Sequence, residues 1–254
     1  MPDFTGKVVI ITGAGTGIGA ATAHRFGRDG AFVVLAGRRA EKLHEAAAPL
    51  SPERTLTVPT DVADRAACEA LIAAAVARFG HLDVLVNNAG TAAFGPFTSI
   101  DEADWRGVMA TNVEGVIHCT RAALPHLLAR SGNVVNVSSV SGLGGDWGMA
   151  YYNASKGAVC NLTRALALEY GGQGVRVNAV APSLTMTDMS AGLTAIPAMM
   201  AKFADRIPMG RGAEPAEVAD VIAFLAGHDA RFVNGVILPV DGGITASNGQ
   251  PRLN

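Results

Sequence analysis

Seven short runs of β-branched and aliphatic residues recur along the chain, at 8–12, 32–36, 55–58, 84–87, 133–137, 176–180 and 236–240. They are nearly continuous in apolar residues and do not alternate, which is the pattern of strands covered on both faces of a parallel sheet. Between them lie helical patterns over 18–29, 40–48, 65–79, 101–130, 151–170 and 215–226, the fourth long enough to be broken internally. Strand and helix in alternation predict an α/β chain with a doubly wound parallel sheet and helices on both faces. The rhythm runs to about residue 240 without a linker, a fixed-period repeat or low complexity, so residues 1–254 are expected to form a single domain.

Two stretches fit neither pattern: 138–150, rich in Ser and Gly, and 183–211, rich in Met and Ala with Pro197 and Pro208. Each follows a strand on the carboxyl edge, where open sheets of this kind bind ligands. Both are therefore candidate walls of a site, and the region at about 183–211 is a candidate lid. Its methionines suit either a flexible apolar cover or ordinary core and subunit contact. Asp146 and Trp147 in the first stretch are expected at the pocket mouth, with Trp147 alternatively an apolar anchor for the loop.

The turn Thr12-Gly13-Ala14-Gly15-Thr16-Gly17-Ile18-Gly19 follows the first run and opens the first helix. Glycines permit a tight backbone turn and close approach of a pyrophosphate to the amides, and the helix N-terminus adds partial positive charge. Gly13, Gly17 and Gly19 set a G-x-x-x-G-x-G spacing, with Ile18 where the common G-x-G-x-x-G would have its third glycine. A ligand-free strand-to-helix connection is the alternative reading of such a turn. At the end of the second run an acid would bind both ribose hydroxyls of a dinucleotide. Here Arg38 and Arg39 follow Gly37, and no acid appears before Glu41. Arginine forks onto phosphate, so NADP(H) is favoured over NAD(H), unless the two arginines are only a solvated turn. Asp61 and Val62 stand where an adenine edge would be met; Asp64 is the better cap for the helix that follows. Asn87-Asn88-Ala89-Gly90 closes the fourth run, and its amides are expected to brace the sheet edge and the cofactor ribose.

Tyr152 and Lys156 are four residues apart near the start of a helix and share a face. A phenol has a pKa of about 10 and is a poor base at neutral pH, but a neighbouring ammonium favours the phenolate. Such a pair can exchange a proton with a carbonyl or alcohol oxygen. Tyr151 lacks a lysine at i+4. Ser139, thirteen residues before Tyr152, can be folded back to orient the substrate oxygen. Asn112 is a poor helix former inside a long helical pattern, so it is either a polar break that holds a water leading to Lys156 or a surface residue. After the sixth run, Pro182 ends the strand, and Thr185 by its backbone and Thr187 by its hydroxyl are placed to hold a nicotinamide carboxamide.

Taken in order and at these spacings, T-G-A-G-T-G-I-G at 12–19, N-N-A-G at 87–90, Asn112, Ser139, Y-N-A-S-K at 152–156 and the 182–187 segment resemble the short-chain dehydrogenase/reductase superfamily over nearly the whole chain. The resemblance implies a Rossmann fold with a seven-stranded sheet, an Asn112-Ser139-Tyr152-Lys156 tetrad and a homotetramer. Pro182-Ser183 departs from the family's usual Pro-Gly. The segments 139–148, 150–152, 182–184 and 246–251 further resemble the meso-2,3-butanediol dehydrogenases, or acetoin reductases. Those relatives carry an acid after the second strand and use NAD, where this chain has Gly37-Arg38. The implied function is hydride transfer between a nicotinamide cofactor and a small ketone or secondary alcohol. A 3-oxoacyl-thioester reductase, a sugar dehydrogenase and a non-catalytic dinucleotide sensor are the alternatives.

Composition narrows the setting. With 49% hydrophobic and 17% charged residues the chain has enough apolar side chain for a large core. A formal charge of −2 without basic runs argues against nucleic acid and anionic membrane as partners. No apolar stretch approaches the about 18 residues of a membrane span, and no secretory leader is evident. Cys68, Cys119 and Cys160 lie far apart and form no C-x-x-C pair, which points to a reducing, cytoplasmic setting. The six histidines show no ligand spacing, so no catalytic metal is expected.

Overall fold

Strands β1 (Val8–Thr12), β2 (Phe32–Gly37), β3 (Thr55–Pro59), β4 (Val84–Asn87), β5 (Asn133–Val137), β6 (Arg176–Pro182) and β7 (Ile237–Val240) form one sheet in the order β3-β2-β1-β4-β5-β6-β7, every pair parallel. The computed structural model describes residues 3–250. Chain order reverses between β1 and β4, which opens a crevice at their carboxyl ends. Register places Thr12 beside Ala36 and Asn87 beside Asn136, so the residues that follow these strands emerge at one level.

Helices α1 (Gly17–Arg28), α2 (Ala40–Ala47), α3 (Arg65–Phe79), α4 (Glu102–Met109), α5 (Gly115–Leu128), α6 (Ala150–Gly171), α7 (Ala191–Thr194), α8 (Pro197–Arg206) and α9 (Pro215–Ala226) complete the chain. Alternate residues of one strand serve two cores. Val9 and Ile11 face Ala23 and Phe26 of α1 and Ile222 of α9; Val8 and Ile10 face Leu71 of α3 and Cys119 and Leu127 of α5. All of these are buried. Each large aliphatic side chain so buried contributes about 1.5–3 kcal/mol, and covering both faces explains why the central strand patterns are mostly apolar and do not alternate.

The expected elements occur within one or two residues of their predicted limits, and β6 continues through Pro182. Asp64 caps α3, its Oδ1 accepting from the Ala66 amide at 2.8 Å. The expected break in the 101–130 pattern is a π-helical turn, Ala110–Glu114, between α4 and α5. Within 183–211 the structure adds α7 and α8, which sequence periodicity did not resolve; Pro197 at the first position of α8 was the available signal. The proposed tail motif ends at Pro251, outside the described residues. Among the described residues no helix is long and apolar enough to cross a membrane. The three cysteines are unpaired and buried, with the sulfurs of Cys68 and Cys119 3.4 Å apart.

Candidate active site

A cleft of about 450 Å³ runs along the carboxyl edge of the sheet, from the glycine turn to the Tyr152 end of α6. Gly13, Thr16, Gly17, Ile18, Arg38, Arg39, Asp61, Val62, Asn88, Ala89, Gly90, Ser139, Tyr152, Lys156, Pro182, Thr185 and Thr187 all line it. Of the expected site residues, Gly19 and Asn112 do not, and each supports the lining from behind.

Gly13 and Gly17 have positive φ, 63° and 55°, which explains two of the glycines. Gly19 is a glycine for a different reason. A Cβ there would overlap the Gly13 carbonyl oxygen and come within 2.5 Å of Asn88 Nδ2. Asn88 Nδ2 donates to the carbonyl oxygens of Thr12 (2.8 Å) and Gly13 (3.1 Å), while Thr12 Oγ1 accepts from the Asn88 and Ala89 amides, both at 3.0 Å. Asn88 therefore braces the glycine turn. The first turn of α1 has no side-chain cap and no acid. Its amides are left open toward the cleft, a cradle that fits the pyrophosphate of a dinucleotide. Arg38 and Arg39 are exposed and make no ion pair or side-chain hydrogen bond among the described residues. Asp61 Oδ1 accepts from the Ala63 amide at 3.1 Å.

Asn87 lies behind this edge, buried, donating to Thr120 Oγ1 (3.0 Å) and Asn136 Oδ1 (2.9 Å). Asn136 passes the network to Thr163 Oγ1 at 2.9 Å on α6. The NN dipeptide thus divides its work between the sheet interior and the turn. Asn112 is buried, and the surface alternative is excluded. The extra residue of the π turn aims its amide at Thr91, whose N–H donates to Oδ1 (2.8 Å) and whose carbonyl accepts from Nδ2 (2.8 Å); Nδ2 also reaches Ser155 Oγ at 3.0 Å. Gly90 lies between Asn112 and Lys156: a Cβ on it would sit 3.4 Å from Asn112 Oδ1 and 3.6 Å from Lys156 Nζ.

Ser139 is carried to Tyr152 by close packing of its loop on α6. A Cβ on Gly142 would come within 2.7 Å of the Lys156 carbonyl oxygen, and Ser138 Oγ donates to that same oxygen at 3.1 Å. Sequence reading missed this tethering role of Ser138. Ser139 Oγ accepts from the Ser141 amide (3.1 Å) and lies 3.1 Å from Ser141 Oγ and 3.3 Å from the Pro182 carbonyl oxygen. Tyr151 is separated from the cleft: its ring stacks on Phe97 and Trp105 at centroid distances of 5.0 and 5.8 Å.

The electrostatics differ from the expectation that Lys156 acidifies the phenol. Burial pushes the Tyr152 pKa up, the adjacent Ser139 hydroxyl pulls it down, and the Asp146 carboxylate pushes it up. Lys156 is itself buried, which lowers its pKa to about 8. Its Nζ donates to the Val137 carbonyl oxygen at 2.8 Å and lies over the Tyr152 ring, 5.6 Å from the centroid.

The 183–190 strap crosses the cleft. The Met186 amide donates to the Ala213 carbonyl oxygen and the Ala213 amide to that of Leu184, each at 2.9 Å. Thr185 Oγ1 turns back to the Ser183 carbonyl oxygen, and Thr187 caps the short helical turn Asp188–Ser190. Met189, Leu193 and Phe203 complete the cover. Trp147 departs from expectation: it is fully exposed, so it neither lines the mouth nor anchors the loop.

The family model described as enoyl-(acyl carrier protein) reductase matches residues 13–245. The chain is 52% identical to meso-2,3-butanediol dehydrogenase from Serratia marcescens over 98% of its length and 99% of that protein. Two solved structures from Brucella melitensis share the fold. One, a short-chain dehydrogenase/reductase named glucose/ribitol dehydrogenase, is 36% identical with a TM-score of 0.91, over 96% of this chain and 98% of that one. The other, a 3-ketoacyl-(acyl-carrier-protein) reductase complexed with NADH, is 34% identical with a TM-score of 0.89, over 96% of this chain and 100% of that one. The chain belongs to the short-chain dehydrogenase/reductase family of nicotinamide-dependent oxidoreductases.

Proposed function

We propose that this enzyme interconverts a small ketone and its secondary alcohol using NADP(H), with Tyr152 exchanging the proton at the substrate oxygen. The observation that carries the reading is the shared cleft: the uncapped α1 N-terminus, Ser139, Tyr152 and Lys156 line one continuous space. The bound nicotinamide supplies or accepts the hydride. Thr185 and Thr187 would hold its carboxamide, and Asp61 and Val62 would border the adenine. Ser139 donates its hydroxyl hydrogen to the substrate oxygen and fixes its position. The raised pKa of Tyr152 keeps the phenol neutral at neutral pH, so in reduction its proton passes to that oxygen as the carbon gains hydride. The resulting phenolate has the Lys156 ammonium over its ring face, and that charge steadies it. Oxidation runs these transfers in reverse.

Support for NADP(H) comes from Arg38 and Arg39, two guanidiniums with no ion pair among the described residues, at the cleft end beyond β2, where a 2′-phosphate would be met bidentately. The named activity of the Serratia marcescens relative supports a small substrate. The reading includes a cytoplasmic homotetramer acting on free small molecules, as a single domain with 183–211 as its lid.

The test is loss of reduced-nicotinamide absorbance with acetoin, diacetyl and simple ketones, each with NADPH and NADH. Turnover with NADPH well above that with NADH is expected. Turnover confined to acyl thioesters would reject the small-ketone assignment, and NADH preference would reject the cofactor assignment.

A further inference from the structure

Charged residues line both ends of the cleft. Arg38, Arg39 and Lys42 lie beside the glycine turn, whereas Asp146, from the loop between β5 and α6, lies at the Tyr152 end. There the lining combines apolar residues such as Phe94, Met149 and Leu184 with Ser139, Ser141, Lys156 and the lid carboxylate Asp188. Asp146 is exposed, but it is not loose. Asn153, which follows Tyr152 on α6, donates from Nδ2 to the carbonyl oxygens of Ser141 and Gly144, both at 3.0 Å, and to Asp146 Oδ2 at 3.3 Å. Three acceptors around one nitrogen fix which way the amide faces. The loop bearing the carboxylate is thereby fastened to the helical turn bearing the phenol. The field of Asp146 reaches that phenol, since the carboxylate is among the groups that raise its pKa.

We infer that Asp146 is a specificity-determining residue that accepts a hydrogen bond from a hydroxyl beside the reacting carbonyl and turns away carbonyl compounds bearing a carboxylate. The substrate class is then uncharged hydroxyketones and the matching diols. This rests on the proposed placement of the substrate between Ser139 and Tyr152. A second carboxylate at contact distance, partly screened by solvent, loses about tenfold in affinity. A hydroxyl donating to the charged group gains a similar factor.

The binding test uses the NADP-loaded enzyme and two probes of equal shape, 2-methylpropanamide and 2-methylpropanoate, by calorimetry. The wild type is expected to bind the amide about tenfold or more tighter. Asp146→Asn is expected to lose most of that preference, and Asp146→Glu to keep it. An unchanged preference in Asp146→Asn overturns the inference. Turnover gives a second readout: in Asp146→Asn the KM for acetoin is expected to rise about tenfold while that for 3-methyl-2-butanone stays level. Equal changes for both ketones overturn the hydroxyl contact. Failure of the wild type to reduce either ketone, with the probe preference behaving as expected, rejects the proposed reaction and leaves the charge filter standing.

Discussion

The side-chain nitrogen of Lys156 lies over the face of the Tyr152 ring, 5.6 Å from its centre. The phenol is governed by burial, Ser139 and Asp146, and the lysine by its own burial and the Val137 carbonyl. The two groups therefore divide the work: one holds a proton ready, and the other keeps a cation beneath the ring for the moment the proton leaves.

Removing the phenolic oxygen alone separates chemistry from binding. Tyr152→Phe is expected to lower kcat by about 10²–10⁴-fold while NADPH affinity, read by fluorescence titration, changes little. Retained turnover contradicts the assigned role.

The lowered pKa of Lys156 has a stability consequence with a definite sign. Its folded value of about 8 lies below the ordinary 10.5, so between those limits the unfolded chain binds the extra proton and stability rises with pH. Below pH 8 the folded protein bears the full cost of burying the charge. Lys156→Met removes the ionisation, so its stability relative to wild type is expected to fall as pH rises from 7 to 10.5, by as much as about 3 kcal/mol. Denaturant unfolding across that range checks this, and a pH-independent difference contradicts it.

Arg38→Ala tests the cofactor end. Loss of a bidentate phosphate contact is expected to raise the KM for NADPH by about 10- to 100-fold and to leave that for NADH nearly unchanged. Equal weakening of both cofactors would mean that Arg38 meets no 2′-phosphate.

Gly19→Ala tests the brace behind the glycine turn. The added methyl meets the Gly13 carbonyl and the Asn88 amide, an overpacking expected to cost about 1–3 kcal/mol. Thermal unfolding of the protein without cofactor reads it. An unaltered Tm would show that the turn can shift, and Asn88→Ala would then be expected to be harmless as well.

The strands were legible because the central ones are covered on both faces, which leaves runs dominated by apolar residues. Tyr152 was separable from Tyr151 because only one of them has a lysine one helical turn on. Other relationships depend on tertiary packing. The bonds from Asn88 to Thr12 and Gly13 bridge 76 and 75 residues of chain, and no local pattern signals them. Ser138 and Asn153 look like ordinary loop and helix polars until β5 and α6 are brought together. Trp147 was expected at the pocket mouth or as an anchor for the loop, yet its loop carries it into solvent. Helix α7 is a single turn, too short for a periodic signal, whereas α8 is amphipathic and opens at Pro197.

The π turn at Ala110–Glu114 lies between two stretches of ordinary helix. Each of its five residues advances the chain by less than the roughly 100° of regular helix, so one extra residue is taken up with the flanking faces kept nearly in phase. Asn112 can then reach Thr91 and Ser155 while Cys119, Ala123 and Leu127 stay in the core they fill. Closing the turn to regular helix by a one-residue deletion would therefore spare the core packing of α5 and fall on the aim of Asn112.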